Sequence, residues 1–361
     1  MKKLFLLLAI ASIANIAAAQ KPKKNKGKEF EKVSTYAMIG KNEDAKLELD
    51  KAIADPETAA LPEAQFWKYK IYAAFAKDEA LSAKYPGALM IADEAFAKYA
   101  AADPAVSLVS GSNSTQSVFD VYGLFNKKAI NAYNTKAYDS AGLFFGKSAE
   151  YLDVIIKNKW TDAKISFDTT SILYAGAAYE SAKQPKMAAK FFGRLVESKV
   201  GGEGYMGLYR FMMLQAIEEK SRPSFDKYLR LAKEVYPSEN WDDFETEFLT
   251  KAYTLKEKIT FFDEQDAGGN LTTQQYIMFG EAFANLAPEE KEALDSAQQL
   301  FYQNKAIYAF RKASEKEPKD GLAAYNVGVL SFNEFSFYDD RIRDNRRKLQ
   351  EYNTNRVVEK D

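Results

Sequence analysis

Between Ile172 and Leu195 the chain reads I-L-Y-A-G-A-A-Y-E-S-A-K-Q-P-K-M-A-A-K-F-F-G-R-L. Counted from Gly176, the small and aromatic positions Tyr179, Ala188, Phe192 and Leu195 follow at steps of 3, 9, 4 and 3 residues. Steps of three and four keep apolar residues on one helical face, and the step of nine spans a tight turn. The pattern predicts two amphipathic helices lying back to back. Small residues sit where the backbones approach, and aromatic residues wedge the remaining space.

The same spacing recurs along the chain. Tyr36, Ala45, Leu49 and Ala52, ahead of Pro56, form a first unit with Gly40-Lys41-Asn42 as its turn. Trp67, Ile71, Ala74 and Phe75 share a face of a second, answered by Ala92, Phe96 and Ala100 before Pro104, with an insertion around Asp78 to Pro86. A third is carried by Phe125, Ala129, Ala132, Tyr138, Ala141, Phe145 and Ser148. Ile172 to Leu195 is the fourth, and a fifth runs from Tyr205 to Pro237 with Phe225, Leu229 and Ala232 on its second helix. Residues 109–115 read as a flexible connection, and residues 263–270 as a loop that interrupts the array. Helical periodicity resumes from Thr272 to Leu286, again before Pro318, and in a helix with Ala324, Val327 and Gly328. From Tyr338 a charged capping helix is expected. Hairpin dipeptides between alternating apolar runs are missing, so strands are not expected.

These units resemble the tetratricopeptide repeat, a helix-turn-helix unit of about 34 residues. The resemblance covers most of residues 29–331, strongly in two or three units. It implies an all-α fold: a right-handed superhelical solenoid of tetratricopeptide-like repeats, with about 13 to 16 helices. It also implies a protein- or peptide-binding scaffold whose first helices line a concave side. Groove candidates then lie one or two places from the packing positions. They are Lys68 and Tyr72, then Lys128, Asn131 and Asn134, then Tyr174 and Glu180, and finally Arg210 and Gln215. Such Lys, Asn and Tyr side chains suit an extended peptide or helix held by hydrogen bonds and aromatic contact.

The N-terminus adds a location. A cationic start, an apolar run of about a dozen residues and the exit Ala17-Ala18-Ala19 form a secretory signal over residues 1–19. The run is shorter than the roughly 20 apolar residues that a membrane span needs. Cleavage leaves Gln20 first, a context similar to exported proteins of Bacteroidota-type bacteria. A basic linker follows over 20–28, then the repeat array over 29–262 and more divergent helices over 271–361. The product is expected to be soluble in the periplasm or outside the cell.

Composition narrows the chemistry. The chain contains no histidine and no cysteine, which removes imidazole acid-base work, thiolate nucleophiles and most transition-metal sites. Charge is balanced at 50 basic against 51 acidic residues, and losing Lys2 and Lys3 with the leader takes the net from −1 to −3. That is a poor footprint for a nucleic-acid binder. Asp263, Glu264, Asp266 and Asn270 offer oxygen ligands, but their spacing lacks the order of a calcium loop. Arg341, Arg343, Arg346, Arg347 and Lys348 interleave with acids and read as a salt-bridged helix. The expectation is a non-catalytic protein without cofactor or metal. The alternative is an extracytoplasmic glycan-binding protein with a tetratricopeptide-like fold. That family's outer-membrane members carry a lipid-accepting cysteine, which this chain lacks.

Overall fold

The computed structural model describes residues 28–112, 114–319 and 321–358. The predicted signal and all but the last residue of the basic linker lie outside the described residues. The described chain is all-α. It contains nineteen helices and no strand, and the helices pack mainly on their neighbours in sequence. Fifteen helices have eight or more residues and four are shorter. They fall into two compact units, one ending at Ala178 and one beginning at Tyr179.

The first unit opens with the pair α1 (Glu31–Met38) and α2 (Asn42–Ile53), joined through Gly40, whose φ of +77° suits a residue without a Cβ. A short α3 (Pro56–Ala59), capped by the Asp55 carboxylate, leads to α4 (Pro62–Lys77). Pro56 and Pro62 each occupy the first turn of a helix, where a missing N–H costs nothing. The predicted insertion contains a short helix, α5 (Glu79–Lys84), started by the Asp78 side chain. It ends at Tyr85, whose ring stacks on Phe75 at 4.5 Å. Next, α6 (Ala88–Ala102) packs back on α4.

The connection expected to be flexible over 109–115 is partly helical: α7 (Ser107–Gly111) packs against α4 and buries Val109 completely. Val106 precedes it in a left-handed conformation, φ +44°, unusual for a β-branched residue. The buried Tyr99 hydroxyl holds the segment, accepting from the Leu108 N–H at 2.8 Å and donating to Asp103 at 3.0 Å. The long pair α8 (Thr115–Asn134) and α9 (Tyr138–Lys157) follows. The inner face of α9 alternates small and aromatic residues, Ala141, Gly142, Phe145, Gly146 and Ala149, as the spacing predicts. α10 (Thr169–Ser181) carries the boundary between the units.

The second unit continues with α11 (Pro185–Glu197), α12 (Met206–Glu218) and α13 (Arg222–Val235). α14 (Asp242–Ala252) and α15 (Leu255–Ala267) come next. Here the expected loop at 263–270 is corrected: the helix runs through Ala267, so Asp263, Glu264 and Asp266 are helical. Only Gly268, Gly269 and Asn270 make the turn, with Gly269 at φ +65°. Asp266 accepts hydrogen bonds from the Tyr276 and Tyr308 hydroxyls, which ties the end of α15 to later helices. α16 (Thr273–Ala284), the short α17 (Pro288–Glu292) and α18 (Ser296–Lys316) follow. Three starts are capping boxes, Thr254 with Glu257, Thr272 with Gln275 and Asp295 with Gln298. α16 and α18 cross so closely that a Cβ on Gly280 would lie 2.8 Å from the Phe310 ring.

The last element, α19 (Gly321–Val358), is one continuous helix of 38 residues, about 57 Å long at 1.5 Å per residue. A separate capping helix from Tyr338 was expected; with no proline or glycine after Gly328, nothing stops the helix there. Its start packs on α18 and buries Ala323. Its charged half is laced by Arg343 with Asp339, and by Arg347 and Lys348 with Asp344.

Five successive helices, α8 to α12, end on a lysine in the left-handed conformation: Lys136, Lys159, Lys183, Lys199 and Lys220, with φ between +52° and +61°. In the first case the N–H of Lys136 bonds Tyr133 O at 3.0 Å and that of Ala137 bonds Ala132 O at 2.8 Å. This is the Schellman closure, usually made with glycine. Lysine accepts the strain and places a cation at the negative end of the helix dipole.

Candidate functional site

In the first unit, successive first helices of the pairs are stitched together by side chains spaced along α4, α8 and α10. Tyr69 donates to Ser117 Oγ at 3.1 Å, and Lys77 to Asp120 at 2.8 Å. Lys70 also donates to Ser114. From α8, the Tyr122 hydroxyl donates to Asp168 at 3.2 Å and Asn126 donates to Ser171 Oγ at 3.4 Å. Asp168 is buried and caps the start of α10, accepting the Ser171 N–H at 2.8 Å. Burial first, then the Asp168 charge, pushes the Tyr122 hydroxyl up to about 12, so it remains a donor at neutral pH.

Further along the same two helices the polar contacts give way to an aromatic platform. The Tyr174 ring stacks on Phe145 at 5.4 Å and meets the edge of Tyr133 at 6.1 Å. Tyr133 in turn meets Tyr138 at 5.5 Å. Tyr174 is nevertheless 44% exposed. The last turns of α8, which carry Tyr133, also carry the exposed amides Asn131 and Asn134. The arrangement offers a partly exposed ring held in place by its aromatic neighbours.

Two smaller hollows open in this unit. One, about 240 Å³, lies among α1, α4 and α8 and is lined by Lys70, Lys77, Ser117 and Asp120. The other, about 200 Å³, is lined by Tyr85, Leu89, Leu124 and Lys128.

The nine groove candidates lie on four helices, α4, α8, α10 and α12. Lys68 is half-buried and acts on Glu94 of α6. Tyr72 is half-buried, packs on Phe75 at 5.4 Å and feels Lys46 of α2. Lys128 lines the smaller hollow, Tyr174 forms the platform, and Asn131 and Asn134 are exposed on α8. In the second unit Glu180 is exposed at the end of α10 and Gln215 is half-buried on α12. Arg210 lies over the Trp241 ring at 5.7 Å and pairs with Glu239 at 3.7 Å. Sequence reasoning passed over Lys70, Lys77 and Asp120, which line a hollow, and Tyr133, which edges the platform. The seven-residue step from Lys70 to Lys77 marks a shared face of α4, but nothing in the spacing says which neighbour that face meets.

Among the described residues, no group of three or more acidic, histidine or cysteine side chains is disposed to hold a metal ion. No described helix is long and apolar enough to cross a membrane. No family model matches the chain, and no curated protein shows a significant match to it.

Proposed function

We propose that this protein is an exported, non-catalytic scaffold of the cell envelope, built from tetratricopeptide-like helix pairs, that binds a protein or peptide segment. The observation that carries the reading is Tyr174: a large side chain left 44% exposed while its ring is held by Phe145 and Tyr133. A ring ordered before contact loses little entropy on binding, and such aromatic anchors dominate binding energy. Asn131 and Asn134 supply the hydrogen bonds that an extended backbone requires, and Lys128 adds a cation on the same helix. The cationic, apolar and small-residue segments of the first 19 residues support export.

The test is site-specific photo-crosslinking from position 174 in cells, followed by mass spectrometry. A discrete protein adduct, lost on Tyr133→Ala and absent when the probe is moved to Gly40, supports the reading. Absence of any protein adduct, together with binding to a glycan array, would transfer the platform to carbohydrate stacking instead.

A further inference from the structure

The second unit contains a cavity of about 500 Å³ among α14, α15, α16 and α17, a size typical of small-molecule sites. Its lining includes Thr246 and Thr250 of α14, Lys258 of α15, Glu281 and Asn285 of α16 and its following turn, and Glu290 of α17. Lys258 is the unusual member. Its side chain is only 4% exposed, yet the nearest carboxylate oxygen, Glu290 Oε1, lies 3.8 Å away, beyond hydrogen-bond distance. The other Glu290 oxygen is engaged by the Ala287 N–H at 3.3 Å. The Lys258 stem is buried while its ammonium reaches the open volume of the cavity, with no carboxylate oxygen at hydrogen-bond distance to hold it.

The remaining polar atoms define what could match it. The Thr246 and Thr250 hydroxyls donate along α14, to Asp242 O at 3.3 Å and Thr246 O at 2.8 Å, leaving their oxygens as acceptors. Glu281 is exposed on the cavity's lining. One cation and two carboxylates in the lining disfavour phosphate or a dicarboxylate, which would meet the acids. They favour a ligand that brings both signs.

We propose that this cavity binds a small zwitterionic carboxylate, an amino acid or a short peptide, with its carboxylate on Lys258 and its ammonium toward Glu281. Asn285 and the threonine oxygens complete the polar contacts. The site lies in the other compact unit from the Tyr174 platform, and small probes report on it directly. Failure here therefore leaves partner binding at the platform standing, and the converse also holds.

Isothermal titration of the whole chain with L-alanine, L-alanyl-L-alanine, their C-terminal amides and succinate tests this. The free carboxylates should bind at least about tenfold more tightly than their amides, since a charge-assisted bond is lost on amidation. Preference between the amino acid and the dipeptide identifies the source. Lys258→Met should weaken the free carboxylates by about tenfold or more while the melting temperature rises. Glu281→Gln should narrow the margin over succinate. Free acids and amides within about twofold of each other on the unaltered chain, or no heat with any probe at millimolar concentration, would overturn the proposal. That comparison needs no variant to fold.

Discussion

Asp168 and Lys258 are both buried charges, one in each unit, and their surroundings are opposite. Asp168 accepts from the Tyr122 hydroxyl and the Ser171 N–H, so its charge is distributed over two short contacts at a helix start. Lys258 faces a single carboxylate at 3.8 Å and a cavity of about 500 Å³. The first arrangement joins α8 to α10 and belongs to the architecture. The second adds nothing that the fold requires. A buried charge whose bonds are complete holds helices together, whereas one that is unmatched beside open volume marks a site.

The contrast can be broken at either end. Asp168→Ala removes the cap of α10 and strands the Tyr122 hydroxyl, so urea denaturation should show a loss of about 3 kcal/mol with an unchanged m-value. Gly280→Ala, on the cavity's own helix α16, forces the Phe310 ring to move; after the gain in helix propensity it should cost about 1–2 kcal/mol. Lys258→Met has the opposite sign, a gain of about 1 kcal/mol or more, read from the melting curve. If Lys258→Met destabilised the chain as much as Asp168→Ala, the two charges would be equivalent and the comparison would fail.

Smaller effects sharpen it. Lys136→Gly relieves the left-handed strain at the end of α8, set against the added freedom of the unfolded chain, and should stabilise by about 0.5–1 kcal/mol. Asp93 offers a third buried charge. Burial raises its carboxyl above the ordinary range although Lys147 Nζ lies 3.1 Å away. An acid raised on folding contributes stability that is full below its unfolded value and is lost as pH rises through its folded value. Asp93→Asn should therefore flatten the fall in stability just above the usual aspartate range, measured by denaturation across that window.

Much of the fold was legible because packing repeats. The pairs around Tyr36, Phe96, Phe145 and Phe225 follow from apolar spacing alone, and Thr254-x-x-Glu257 or Thr272-x-x-Gln275 announces a helix start in four residues. Helix ends were less legible. Glycine signals the left-handed closure at Gly40 and Gly269, but lysine at positions 136, 159, 183, 199 and 220 carries no such mark. The acids of 263–266 read as loop because polar residues near Gly268 resemble a turn, yet Phe262 and contacts through Asp266 keep them helical. Of the groove candidates, Tyr174 stacks on Phe145, while Tyr72 packs on Phe75 of its own helix. Periodicity fixes which residues share a face, but not the rotation of that face against its neighbours.

The order of helices, their pairing and the small and aromatic residues between them were set by the sequence itself, since local spacing and short-range burial decide them. The chemical meaning of single residues was not. Lys258, within E-K-I-T, looks like any surface lysine until α14, α16 and α17 close around it. Tyr174 is an outward residue by its spacing, but only the assembled helices show Phe145 supporting its ring while no neighbour covers it fully. Burial and contact between distant segments are properties of the assembled helices, so only the tertiary structure could separate a core residue from a site.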